Sequence, residues 1–151
     1  MARMHSRRKG KSGSNKPISK EKPNWVKQKP KEVEDIITSL KKKDYSQSKI
    51  GITLRDAHGI PSTKAVTGKK VGKILEDKGL NPKFPDDLMF LMKKAVGLHK
   101  HLELNKHDIH NKKSLQLIES KIHRLVKYYR RTSKLPEGWT YSYERAKLLV
   151  E

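Results

Sequence analysis

Residues 86–131 read DDLMFLMKKAVGLHKHLELNKHDIHNKKSLQLIESKIHRLVKYYRR, and the spacing of their apolar side chains decides the fold. Leu88, Leu91, Met92, Ala95, Leu98, His99 and Leu102 recur at three- and four-residue steps, which puts one apolar stripe along a helix of about five turns. Pro85 suits the first turn, and Asp86 and Asp87 complement the positive end of the helix dipole. Leu115, Ile118, Ile122, Leu125 and Tyr129 repeat the pattern in a second run. Two such stripes joined by the polar stretch NKHDIHNKK (105–113) predict an antiparallel helical hairpin with basic outer faces.

Toward the N-terminus the helices are shorter. After Pro30, KEVEDIITSLKKK sets Val33, Ile36, Ile37 and Leu40 at helical spacing, with acids early and lysines late. Ser46 is placed to cap a second helix whose Ile50, Leu54 and Ala57 share a face until Gly59 and Pro61 stop it. VGKILEDKG predicts a third, closing at Gly79. Toward the C-terminus Pro136, Gly138 and Trp139 end the long helix, and TYSYERAKLLV adds a last turn or two. There is no internal repeat and no period-2 alternation long enough for a sheet, so the fold class is all-α. The chain divides into a basic extended arm (1–30), a small helical unit (31–80) and the long hairpin with its C-terminal extension (81–151).

Composition narrows the function. Across 151 residues, 36 Lys and Arg oppose 16 Asp and Glu, a formal charge of +20, while hydrophobic residues make up only 33% and aromatics 6%. A thin core and a self-repelling surface call for a polyanionic partner, and nucleic acid leads. The first 31 residues hold eleven cations, among them Arg3, Arg7, Arg8, Lys9 and Lys11, against the single acid Glu21, and so carry half the net charge. HSRRKGKSGSNK has too little apolar surface to offset its ordering entropy, so this arm is expected to order along phosphates. No run of about 18 apolar residues and no apolar h-region is present, so neither a membrane nor secretion is expected. With no cysteine there is no disulfide framework and no thiolate ligand, and the cytoplasm fits.

Catalysis and metal binding find little support. His99 and His101, two apart on a helix, point about 200° from each other. His107, Asp108 and His110 could gather in the turn, but lysines surround them and no fourth ligand is indicated. Asp86 and Asp87 answer a helix dipole rather than forming an acid–base pair. The expectation is a non-enzymatic protein with no cofactor, metal or small-molecule substrate.

Binding chemistry accounts better for one acid kept among lysines. Duplex RNA displays 2′-hydroxyls and the guanine amino group in a shallow minor groove, where a short turn reaches what a helix does not. Asn105, Asp108 and Asn111, with His107, supply polar groups for such donors; Lys106, Lys112 and Lys113 supply charge for the flanking phosphates. Farther along, Arg124, Lys127, Arg130 and Arg131 surround Tyr128, which faces away from the stripe and suits stacking at a helical junction. A second reading uses the short helices on either side of HGIPSTKAVTG as the helix-turn-helix of a DNA-binding regulator or chromatin protein.

The run LHKHLELNKHDIHNKKSLQLIESKIHRLVKYYRR, with IGITLRDAHGI and VTGKKVGKIL upstream and LPEGWTY downstream, resembles small-subunit ribosomal protein S15 in its archaeal and eukaryotic form, called S13 in eukaryotes. The resemblance covers nearly the whole chain. It implies a binder of small-subunit rRNA that grips a three-way junction and a nearby minor-groove site, helps order the platform beside other small-subunit proteins, and lies near the large-subunit interface. Of the bacterial turn pattern His-Lys-Lys-Asp followed by Ser, this chain keeps Lys106 and Asp108, while Asn105, His107 and Asn111 stand at the other positions. Tyr128 matches the family's junction-contacting tyrosine, and Lys94 falls at a basic position on the preceding helix. The Gly-Ser-rich opening of that helix in bacterial members is replaced by NPKFPDDL, and residues 1 to about 80 match the N-terminal extension of the archaeal and eukaryotic form.

Overall fold

The computed structural model describes residues 21–82 and 84–150; Arg3, Arg7, Arg8, Lys9 and Lys11 of the arm lie outside them. Every regular element among the described residues is helical, so the chain is all-α as its sequence predicts. The described residues fall into two compact units, 21–82 and 84–150, each with its own core.

The first unit holds α1 (Pro30–Lys42), α2 (Gln47–His58), α3 (Thr63–Thr67) and α4 (Val71–Asp77). Its helix ends obey the local chemistry. The Glu32 carboxylate accepts from the Lys29 N–H at 3.0 Å, and Pro30 begins α1 where no N–H is needed. Ser46 Oγ accepts from the Lys49 N–H at 3.2 Å to start α2. Val33, Ile37 and Leu40 of α1 are buried against Ile50 and Leu54 of α2 and Ile74 and Leu75 of α4.

Three details of this unit depart from the sequence reading. Ala57 is exposed; Gly59 takes φ 64°, the Ile60 N–H turns back to the Leu54 carbonyl at 2.9 Å, and Ile60 enters the core in its place. The stretch between α2 and α4 is not a plain turn, because Ser62 Oγ accepts from the Ala65 N–H at 3.4 Å and nucleates the one-turn α3. Packing also begins before residue 31: Val26, assigned to the arm, is buried in this core.

The second unit holds α5 (Asp86–Leu104), α6 (Ile109–Arg131) and α7 (Tyr143–Val150). Pro85 is the N-cap residue of α5 rather than part of its first turn. α5 and α6 run antiparallel: Asp87 at the start of one bonds Tyr129 at the end of the other, and His101 near the end of α5 bonds Asp108 at the start of α6. Leu88, Met92, Ala95 and Val96 face Leu115, Ile118, Ile122, Val126 and Tyr129 across a shared core, with Val126 deeper than the neighbouring Leu125. α7 packs on α5, burying Ala146 and laying the Tyr143 ring on His99 at 4.1 Å between centroids. The segment between α6 and α7 is anchored by buried Leu135 and by Trp139, whose indole meets Phe84 at 5.9 Å.

Candidate nucleic-acid interface

The elbow between α5 and α6 is shorter than the sequence reading made it. Only 105–108 lie between the helices; His110, Asn111, Lys112 and Lys113 belong to the first turns of α6. Asp108 is the N-cap of that helix. Its Oδ1 accepts from the Asn111 N–H at 2.9 Å, and its Oδ2 accepts from the Asn111 side-chain amide at 2.7 Å and faces His101 Nε2 at 3.0 Å. These donors, the Asn111 N–H foremost, hold the Asp108 carboxyl at about 2, below its ordinary 3.8. The lone acid of the elbow is therefore first a structural anchor: it satisfies one orphan donor of α6, the Asn111 N–H, and ties the turn to His101.

His101 is the elbow residue that sequence reasoning assigned no role. Nε2–H donating to Asp108 leaves Nδ1 as the acceptor for the Asn105 side-chain amide at 3.3 Å, and the same amide donates to the His101 carbonyl at 3.1 Å. Asn105, His101, Asp108 and Asn111 thus form one polar chain across the elbow. Both amide N–H groups of Asn105 and one of Asn111 are spent inside it, whereas the amide oxygens of Asn105 and Asn111 meet no donor among the described residues. Those oxygens are the acceptors left for a ligand. Lys106, His107, Lys112 and Lys113 adjoin Asn105 and Asn111 in the chain, and all four are exposed.

The far end of α6 carries the second group. Tyr128 is 47% exposed with the Arg131 guanidinium 6.0 Å from its ring centroid, while its neighbour Tyr129 is buried. Arg124, Lys127, Arg130 and Arg131 are all exposed and form no ion pair among the described residues. Tyr128 stands nineteen residues beyond Ile109, about 29 Å at about 1.5 Å per residue, so the structure does not merge elbow and junction residues into one patch. By the register of the Asp87–Tyr129 and His99–Glu119 contacts, Lys94 stands level with residues 122–124, at the inner edge of the second group. It is exposed. No three His, Asp or Glu side chains among the described residues are grouped to hold a metal.

The helix-turn-helix reading meets a geometric obstacle. Such motifs lay a recognition helix in the major groove, but α3 is five residues long and α4 seven, with α3 interrupting the connection. Ile74 and Leu75 of α4 are spent on the core.

A two-helix scaffold with a polar, lysine-rimmed elbow and a bare cationic end is matched by known sequences. Residues 71–149, which include the whole hairpin and nearly all of α7, match a family profile described as ribosomal protein S15. The chain belongs to the ribosomal protein S15 family. Residues 1–60 match the ribosomal S13/S15 N-terminal domain, so the two matches flank the region that holds α3. Small ribosomal subunit protein uS15 of Methanococcus vannielii is 51% identical over 151 residues, covering 100% of both chains. The proteins of the same name from Methanococcoides burtonii and Methanoculleus marisnigri are 51% and 49% identical over 150 residues, 99% of each chain.

Proposed function

We propose that this chain is a structural constituent of the small ribosomal subunit, a non-enzymatic binder of small-subunit rRNA that works on cytoplasmic ribosomes. Membership of the S15 family and relatives named for the small ribosomal subunit, matched end to end, support the reading. In the structure one observation carries it: an antiparallel hairpin presents a cross-braced acceptor elbow at one end and, among the described residues, unpaired cations around an exposed tyrosine at the other.

The elbow reads a minor groove. Asn105 and Asn111 offer amide oxygens to guanine amino groups or 2′-hydroxyls, Asp108 and His101 hold those amides in place, and Lys106, Lys112 and Lys113 with His107 meet the flanking backbone. The other end grips a helical junction, where Tyr128 stacks and Arg124, Lys127, Arg130, Arg131 and Lys94 neutralise converging phosphates. Fixing these two RNA elements about 29 Å apart is how such a protein supports platform assembly. The arm cations Arg3, Arg7, Arg8, Lys9 and Lys11 add sequence-independent phosphate contacts. Neighbouring small-subunit proteins, and large-subunit rRNA at the subunit interface, complete the set of partners.

Competition binding at matched salt is the direct test. A folded junction RNA is expected to displace the labelled rRNA fragment far better than duplex DNA of equal length, and the chain is expected to stay with small subunits through a high-salt gradient. Equal competition by duplex DNA, together with release from the subunits, would sink the reading.

A further inference from the structure

An open cleft of about 600 Å³ lies between the second half of α6 and the segment 137–141 that leads into α7. That size falls within the roughly 300–1,000 Å³ usual for small-ligand sites. One wall carries His123, Lys127, Arg130 and Arg131, the other Trp139 and Tyr141. Trp139 packs against Phe84 at 5.9 Å, and Tyr141 meets His123 of the opposite wall edge-on at 5.5 Å, joining the two walls at that end. The wall is therefore preformed. Lys127, Arg130 and Arg131 have no ion pair among the described residues, and Glu137 is the single acid of the lining.

Three cations offset by one carboxylate favour a polyanion, and aromatic rings beside them favour one that carries bases over one that carries only acid groups. We infer that this cleft holds an unpaired nucleotide of the bound RNA, its phosphates against Lys127, Arg130 and Arg131 and its base against Trp139. The inference rests on the rRNA-binding reading, shares Lys127, Arg130 and Arg131 with its junction grip, and adds to it a base contact made by Trp139 in the segment after α6.

Trp139 supplies its own reporter. The chain has two tryptophans, so in a Trp25→Phe background the indole emission is that of Trp139 alone. Trp25 lies in the other unit, where its Nε1–H bonds the Gly59 carbonyl at 3.2 Å. Titrating the full-length protein with penta-adenylate at about 0.15 M salt is expected to quench this emission. The combined Lys127→Gln and Arg130→Gln changes, both at exposed positions, are expected to move the midpoint about tenfold higher. Pentaglutamate at the same concentration is expected to leave the emission unchanged. Equal quenching by pentaglutamate would make the cleft an acidic-peptide site and overturn the inference. So would unchanged emission with penta-adenylate while the protein still selects junction RNA over duplex DNA, an outcome that leaves the ribosomal reading standing.

Discussion

The Tyr129 hydroxyl donates to Asp87 Oδ2 at 2.6 Å, tying the last turn of α6 to the first turn of α5 across 42 residues of chain. Burial first, and the Asp87 carboxylate second, push the Tyr129 hydroxyl well above its ordinary value, so it stays protonated and donating throughout the physiological range. The bond marks the register of the two helices, and Tyr128, about 100° round α6 from the buried Tyr129, faces solvent. Tyr129→Phe keeps the ring in the core and removes only this bond, so it is expected to cost about 1 kcal/mol or somewhat more in a denaturant melt. An unchanged midpoint would mean that apolar packing alone sets the stagger.

At the elbow, a pair of substitutions separates the anchor from the charge. Asp108→Ala removes the N-cap and the partner of His101; both thermal stability and affinity for junction RNA are expected to fall, the affinity about tenfold. Asp108→Asn keeps an oxygen for the Asn111 N–H, since Asn is as good a cap as Asp, and is expected to melt close to the parent and to lose affinity only a few-fold. Filter binding at fixed salt reads both. If Ala and Asn variants bind junction RNA as the parent does, the elbow does not read it.

The hairpin was legible because a stripe at steps of three and four needs no tertiary information: Leu88, Met92 and Ala95 had to face Leu115, Ile118 and Ile122. Caps were legible for the same local reason, at Ser46 and Gly59 alike. Where a side chain's place depends on the chain's path, the sequence misled. Ile60 displaced Ala57 because the left-handed turn at Gly59 redirects the backbone, and α3, one turn long, has no period to detect. His101 and Asp108 are seven residues apart with a turn between them, so no helical spacing announces their bond. One signal was available: an Asp directly before a periodic run is an N-cap signature, and it anchors Asp108 before any ligand is invoked.

Acid should loosen the elbow in a defined window. The folded Asp108 carboxyl titrates at about 2, below the ordinary 3.8, so the folded state binds this proton less readily than the unfolded chain. Its stabilising contribution is complete above about pH 4 and disappears as pH falls toward 2. Following the side-chain carboxyl by NMR titration is expected to give a midpoint near 2 in the parent. A midpoint close to 4 would show that the Asn111 and His101 bonds do not persist in solution.

Lysine and tyrosine contacts should differ in how salt affects them. Lys112→Gln with Lys113→Gln is expected to flatten the plot of log affinity against log salt by about 0.7–0.9 for each phosphate no longer neutralised, with little change in preference among RNAs. Tyr128→Ala removes a stacking surface and no charge. It is expected to weaken junction binding by roughly tenfold at every salt concentration and leave the slope alone. A slope change with Tyr128→Ala would mean that the ring acts by positioning Arg131, which lies 6.0 Å from its centroid.

Tyr141 presents the converse of Tyr129. Its hydroxyl is buried with no hydrogen-bond partner among the described residues, and burial raises its pKa. An unmade bond of this kind costs its desolvation without return, whereas the ring packs edge-on against His123 at 5.5 Å. Tyr141→Phe removes the hydroxyl and keeps the ring. Stability is therefore expected to hold or to rise by up to about 1 kcal/mol, opposite in sign to Tyr129→Phe in the same unit. Two tyrosines of one small core, altered by the same atom, then report whether the hydroxyl or the ring is what the fold uses; a fall for Tyr141→Phe as large as that for Tyr129→Phe would reveal a partner for its hydroxyl in solution.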